Sequence, residues 1–355
     1  MSFRKMVDIV ILIVLLGSPV MASCALSPST SAPSTDTEYG QARAGEAAAM
    51  LFLSDPKELS PANLGDGEKL NVVVTTTIVA DVVSHIGGGV IELTTLIPFG
   101  VDPHVYEPTP KDYRVVAEAN IVFINGFGLE VFMGTILEQV ANEVVIVSLS
   151  EGIEVLQFGT GELNANEHDA GGAHEGEEGG ADPHVWFDPV GGMVWVENAS
   201  QAMGALDPVH AGLYGANAQE YKRQLDELDK WIEEHVDQIA EDDRLLVTDH
   251  LIFGYFTRRY GFQMVGALIP AYSTAAQPSA QEIANLEDAI RERRVKAVFV
   301  GPTANRKLID RVTEDTGVKL VSLYTASLSE TDLPAGTYLD FMKYNVREIV
   351  QALVE

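Results

Sequence analysis

The side chains best suited to binding a ligand are histidines, and three of the eight occupy related positions. His104 and His184 each end an Asp-Pro-His tripeptide, and His250 follows Asp249 directly. Proline fixes the backbone before His104 and His184, so each imidazole can be aimed with less entropy to lose. Three neutral imidazoles suit Zn²⁺ best, whereas Mn²⁺ favours more oxygen ligands. We therefore predict a metal site at these three histidines, with zinc as the first candidate and manganese as the second.

An aspartate precedes each of the three histidines, at Asp102, Asp182 and Asp249. These carboxylates could accept a hydrogen bond from the imidazole and so orient the ring towards a metal. They could equally cap turns, and the sequence leaves both roles open. Because histidine has an ordinary pKa near 6.5, protonation is expected to oppose metal binding as the pH falls through that range.

A second group of histidines lies in an acidic, glycine-rich segment, residues 162–182. It surrounds His168 and His174 with glutamates and aspartates. Such a composition cannot build a core, so it predicts a loop. The loop could collect zinc weakly and pass it to the nearby His184, or it could be no more than a solvated acidic loop.

The amino terminus has the order of an export signal. Arg4 and Lys5 precede a mostly apolar run, residues 6–20, and small residues lead to Cys24, the only cysteine. This order predicts a signal peptide over 1–23. The sequence before Cys24 is similar to a bacterial lipobox, which would make Cys24 a lipidation site; a plain signal peptide is the alternative. Residues 24–69 are expected to form the lipidated cysteine, a tether and an amino-terminal extension.

Composition limits the class of protein and its partners. The chain has 355 residues, 46% of them hydrophobic and 21% charged, which fits about two globular domains. The net charge of −29 repels phosphate backbones and so excludes nucleic acid as a partner. The same charge would attract cations, or it could serve solubility alone. A single cysteine excludes an internal disulfide.

The pattern of apolar residues predicts an α/β fold. Short β-branched strands alternate with amphipathic helices in two halves, an amino-terminal lobe over 70–206 and a carboxy-terminal lobe over 244–355. This alternation favours a mostly parallel sheet flanked by helices in each lobe. Between the lobes, residues 207–243 contain a long helix, predicted at about 216–239, that we interpret as a backbone helix joining the lobes. An amphipathic surface helix is the alternative.

The strand pattern also explains how distant histidines could meet. His104, His184 and His250 all lie in loops or at strand ends, and ligands in open α/β sheets bind beyond the carboxyl ends of the strands. The three imidazoles are therefore expected to converge on a cleft between the lobes.

Several blocks of the sequence resemble the zinc and manganese solute-binding lipoproteins of bacterial ABC transporters, known as the cluster 9 or cluster A-I binding proteins. The resemblance runs from about Asn71 to the carboxyl end. The motifs that carry it are PFGVDPHVYEP at 98–108, NGFGLE at 125–130, DPHVW at 182–186, TDH at 248–250, FGYF at 253–256, Thr337-Tyr338 and Asn345.

This resemblance implies a receptor that holds zinc between two lobes joined by one rigid helix and delivers it to a membrane permease powered by a separate ATPase. It places the first three metal ligands at His104, His184 and His250. It further implies a monomer with no enzymatic activity, either anchored by lipid to the outer face of the cytoplasmic membrane or periplasmic. Histidine in the third ligand position favours zinc, since manganese-preferring members tend to have a carboxylate there.

The fourth ligand departs from the family pattern. Ala326, in the stretch LYTASL at 323–328, stands where the family commonly has an aspartate. Glu330, Asp332 or water could complete the coordination. Three histidines and a water are also the ligands of a catalytic zinc, so a zinc hydrolase is an alternative function, as is a surface adhesin.

Overall fold

The chain folds into two lobes, each with its own four-stranded parallel sheet. In this computed structural model the described residues are 54–354, apart from 57, 135, 137–143 and 158–179. The amino-terminal sheet has the order β2-β1-β3-β4. Its strands are β1 (Leu70–Val74), β2 (Ile91–Thr95), β3 (Ile121–Ile124) and β4 (Val145–Ser148).

The helices of this lobe begin at residues that satisfy free backbone N–H groups. Helix α1 (Thr77–Gly87) follows Thr76, whose hydroxyl accepts the N–H of Val79. Helix α2 (Pro110–Ala117) begins with a proline and with a capping box between Thr109 and Asp112. Both helices connect parallel strands, as the alternating sequence pattern predicted.

The carboxy-terminal lobe repeats the same topology. Its sheet has the order β6-β5-β7-β8, with all neighbours parallel. The strands are β5 (Leu245–His250), β6 (Gln263–Ile269), β7 (Ala297–Val300) and β8 (Lys319–Ser322). The helices are α5 (Gly254–Tyr260), α6 (Ala280–Arg293), α7 (Arg306–Thr316) and α8 (Tyr338–Val354).

Two consecutive helices connect the sheets. Helix α3 (Pro189–Leu206), which the sequence analysis did not predict, packs along α4 (Ala211–Val236). Helix α4 also contacts α1 of the amino-terminal lobe and α8 of the carboxy-terminal lobe, so the predicted long helix contacts both lobes. Its buried stripe includes Tyr221, Leu225, Leu228 and Ile232.

Alternating strand residues divide the apolar core into three layers. On β1, Val72 and Val74 face the largest cluster, and Val73 faces a second cluster on the opposite side of the sheet. On β5, Leu246 and Val247 divide in the same way between the largest cluster and a third. The largest cluster contains residues of both sheets and of the helices between them. The lobes are therefore joined by one continuous apolar core.

The described residues before β1 lie against the amino-terminal lobe. Ser54 donates its N–H to the carbonyl of Ile146, and Leu59, Ala62 and Leu64 pack on the main core. This part of the predicted tether is therefore in contact with the lobe. The predicted signal peptide and Cys24 lie outside the described residues. Within the described part of the chain, no helix is both long enough and apolar enough to span a bilayer.

Candidate metal centre

The three predicted histidines meet between the lobes. His104 lies in a 3₁₀ turn (Pro103–Val105) after β2, His184 precedes another such turn (Val185–Phe187), and His250 is the last residue of β5. One ring nitrogen of each histidine lies within 4.8 Å of the corresponding atoms of the other two. The Nε2 atoms of His104 and His184 are 3.1 Å apart. The expectation that these side chains converge is confirmed.

The spacing and burial of the nitrogens fit a metal ion. In a tetrahedral zinc site with Zn–N bonds of 2.0–2.1 Å, ligand nitrogens are roughly 3.3 Å apart, close to the distance between His104 and His184. His184 is fully buried, and the Nε2 atom of His250 is buried without a hydrogen-bond partner. A buried polar atom without a partner is costly, and bonding to a metal would remove that cost.

The preceding aspartates hold the histidines in place. Asp182 Oδ1 accepts the backbone N–H of His184 at 2.9 Å and its ring Nδ1–H at 2.7 Å. Asp249 Oδ1 accepts the same two groups of His250, at 2.8 Å and 2.9 Å. In both rings this leaves the Nε2 lone pair directed at the cluster. Asp182 and Asp249 therefore each orient a ring, and Asp182 also closes the turn that leads to His184.

Asp102 differs from the other two aspartates. Its Oδ1 accepts only the backbone N–H of His104, at 2.9 Å, and so it caps the turn. Its Oδ2 accepts the hydroxyl of Thr274, at 2.7 Å, from the other lobe.

Burial sets the charge of the metal-free cluster. It lowers the pKa of His104 and His184 well below 6.5, and in His104 the neighbouring His184 adds to this effect. Both rings are therefore neutral, which is the form that binds metal. Burial also raises the pKa of Asp182 to about 8. Burial acts in the same direction on Asp249, but the charge of His250 and hydrogen bonds from His250 and Gly301 lower its pKa overall.

Two polar residues that support the His184 loop were not recognised from the sequence. Asn125, at the end of β3, donates its side-chain amide to the carbonyl of Pro183 at 2.9 Å. The buried carboxylate of Glu130 accepts the N–H groups of Asn125 and Gly126 and thereby fixes the turn after β3. Both belong to the motif at 125–130, but their roles depend on contacts that appear only in the folded chain.

No carboxylate joins the cluster among the described residues, where the three histidines form the only such group. Glu330 and Asp332, two candidates for a fourth ligand, have exposed side chains. Thr325, next to Ala326, accepts the indole N–H of Trp186 through its carbonyl at 2.9 Å. The described residues thus supply three imidazole nitrogens and no carboxylate to this cluster.

Three other histidines of the described residues, His85, His210 and His235, do not join this cluster. His85 and His235 contact backbone carbonyls of their own helices, and His210 contacts the side chain of Asp207. His168 and His174 lie outside the described residues.

The fold and the histidine cluster define a two-lobed binding protein for a divalent metal ion. Residues 72–352 match the family of the zinc-uptake complex component A, periplasmic, and the chain belongs to this family. It is therefore a solute-binding protein of an ABC importer and not an enzyme, as the sequence analysis expected, and the hydrolase alternative is set aside.

The relatives of this chain are named for different metals. The chain is 32% identical to the manganese-binding lipoprotein MntA of Halalkalibacterium halodurans, over 81% of this chain and 90% of the relative. It is 29% identical to the manganese ABC transporter substrate-binding lipoprotein PsaA of Streptococcus mitis, over 81% and 91%. Among solved structures, it resembles the periplasmic zinc-binding protein TroA of Treponema pallidum, with 28% identity and a TM-score of 0.71, over 81% of this chain and all of that chain.

Proposed function

We propose that this protein is an extracytoplasmic receptor that binds Zn²⁺ through His104, His184 and His250 and delivers it to the permease of an ABC importer. One observation carries the proposal: three imidazoles, two of them oriented by buried aspartates, present ligand nitrogens within 4.8 Å of one another between the lobes. Membership of a solute-binding family supports the delivery step.

The ligand set favours zinc over manganese. Three imidazole nitrogens with one open position form a tetrahedral zinc site, whereas Mn²⁺ gains more from carboxylate, carbonyl and water oxygens. Manganese is the second candidate because the relatives from Halalkalibacterium halodurans and Streptococcus mitis are described as manganese proteins. Ala326 supplies no oxygen ligand from its side chain, which weighs against manganese here.

Relatives described as lipoproteins support export and membrane attachment. In this proposal, residues 1–23 direct export, Cys24 carries the lipid, and 24–69 lead to a lobe over 70–206. The helix within 207–243 connects that lobe to a second one over 244–355. The protein acts as a monomer at the membrane surface, and the acidic segment 162–182, with His168 and His174, collects zinc for the site.

Equilibrium dialysis tests both the site and the metal preference. The chain lacking residues 1–24 is stripped with a chelator and dialysed against equal concentrations of Zn²⁺ and Mn²⁺, and bound metal is counted. One zinc per chain is expected. His250→Ala should lower zinc affinity by orders of magnitude, and His210→Ala, which changes a histidine outside the cluster, should leave it unchanged.

Each outcome separates the candidates. Binding of one manganese ion and no zinc per chain would overturn the zinc proposal and support a manganese receptor. Zinc bound equally well by wild type and His250→Ala would overturn the three-histidine site. No bound metal would overturn the proposed function.

A further inference from the structure

The loop that carries His104 belongs to the amino-terminal lobe but is held by the carboxy-terminal lobe. Thr274, between β6 and α6, donates its hydroxyl to Asp102 Oδ2 at 2.7 Å. Gly100 donates its N–H to the hydroxyl oxygen of Ser327, after β8, at 2.9 Å. Two hydrogen bonds thus cross between the lobes within the loop leading to His104.

His104 depends on such support more than the other two histidines do. It is half-buried, whereas His184 and His250 are buried. Asp102 reaches only its backbone N–H, so no aspartate holds its ring. Phe99 and Val105, on the same loop, are 51% and 54% exposed, and so they provide little packing to fix it.

Asp102 joins the two contacts. One carboxylate oxygen caps the turn at His104, and the other accepts the hydroxyl of Thr274. A carboxylate held at both oxygens has little freedom to rotate. The position of the His104 backbone is therefore coupled to the position of Thr274 in the opposite lobe.

The segment that carries Thr274 borders a cavity of about 310 Å³. Gln277, Asp249 and Asn305 are among the other residues that line this cavity. A displacement of this segment would break the hydrogen bond between Thr274 and Asp102.

We propose that Thr274 is a positioning residue for metal binding: acting from the carboxy-terminal lobe through Asp102, it holds His104 in place against His184 and His250. This inference rests on the proposed function, because it assigns a role at the same metal site. When the bond between Thr274 and Asp102 breaks, His104 is held less firmly at the metal, and zinc is released faster. The bond thus controls how fast the protein releases zinc.

Thr274→Val tests the proposal because valine keeps the branched shape and removes the hydroxyl. Thr313→Val is the matched control, since Thr313 donates its hydroxyl to carbonyls within α7. Zinc dissociation is followed by transfer to a chelator, and the ligand geometry is followed by the visible spectrum of the Co²⁺-loaded protein. Unfolding by circular dichroism reports whether each variant is folded.

We expect Thr274→Val to lose zinc about 10- to 100-fold faster than wild type, which is the range typical of groups that support metal ligands. The Co²⁺ spectrum should change as well. Thr274→Ser, which restores a hydroxyl, should recover most of the wild-type rate. Thr313→Val should match wild type in both readouts.

Two results would overturn the proposal. If wild type binds zinc and Thr274→Val releases it at the rate of Thr313→Val with an unchanged spectrum, Thr274 has no positioning role, and the proposed function stands. If wild type binds no metal, the positioning role fails together with the proposed function. Should Thr274→Val fail to fold, Thr274→Ala removes the same hydroxyl, and the same changes in zinc dissociation and in the Co²⁺ spectrum are expected.

Discussion

The carboxylate of Asp182 holds His184 at two points, the backbone N–H at 2.9 Å and the ring Nδ1–H at 2.7 Å. Asp249 holds His250 in the same way, although it is adjacent in sequence and Asp182 is two residues away. Similar geometry therefore arises from two different spacings. In both cases the aspartate fixes the tautomer that leaves Nε2 free for metal.

Asp182 should make zinc binding depend on pH. Burial raises its pKa to about 8, so below that pH the metal-free protein carries a proton on this carboxyl group. A bound cation favours the carboxylate and lowers its pKa, so metal binding releases the proton. Zinc affinity should therefore fall as the pH decreases from about 8, by up to about tenfold per pH unit. Isothermal titration calorimetry in buffers of different ionisation enthalpy measures the released proton.

Asp182→Asn is the control for this pH effect. It should bind zinc about 10- to 100-fold more weakly, because the imidazole loses its charged acceptor, and the part of the pH slope that comes from this carboxyl group should disappear. His104 and His184 should protonate only well below pH 6.5, because burial lowers the pKa of both. An equal slope in wild type and Asp182→Asn would contradict the assignment of the proton.

Gly254, the first residue of α5, leaves room for Asp182. A Cβ atom at this position would overlap Asp182 Oδ2. Gly254→Ala should therefore displace the aspartate, destabilise the fold by about 1–3 kcal/mol and weaken zinc binding. Thermal unfolding with and without zinc measures both effects.

Gly215→Ala in α4 is the matched control, because an added Cβ atom would have no heavy atom within 4 Å outside its own stretch of helix. It should stabilise the protein by about 0.4–1 kcal/mol and leave zinc binding unchanged. If the two variants have similar stability and similar zinc affinity, the space beside Asp182 does not require glycine at position 254.

Asn125 should matter for both stability and metal binding. Its side-chain amide donates to the carbonyls of Gly126 and Pro183, next to His184. Asn125→Ala leaves both buried carbonyls without this donor, and we expect a loss of about 1–3 kcal/mol and weaker zinc binding. Asn198→Ala removes an amide that likewise bridges two carbonyls, at Leu149 and Glu151, and it should leave zinc affinity unchanged. Chemical denaturation and zinc titration measure the stability and the zinc affinity of both variants. Equal zinc affinities of Asn125→Ala and Asn198→Ala would contradict a role of Asn125 in metal binding.

Much of the fold could be predicted from the sequence because the strands are short, apolar and separated by amphipathic helices. The long helix predicted at about 216–239 corresponds to α4 (Ala211–Val236). Helix α3 was missed because it begins with Pro189 and contains glycines near its start, and because it is buried on much of its surface. A helix of that kind lacks the one-sided polar pattern that marked α4.

The site could be predicted only in part. The repeated Asp-Pro-His tripeptide and the position of His250 at a strand end indicated that the three histidines are metal ligands. Nothing in the local sequence pattern indicates that Thr274 contacts the metal-site loop, because its partner Asp102 is 172 residues away. Contacts of this kind depend on how the two lobes meet, which local patterns do not encode.

The most direct test of the central claim is a crystal structure of the zinc-loaded protein, with an anomalous map recorded at the zinc absorption edge. We predict one strong peak bonded to the Nε2 atoms of His104, His184 and His250 at about 2.0–2.1 Å, with a non-protein ligand beside Ala326. A zinc peak located away from these three nitrogens, or none between the lobes, would contradict the account.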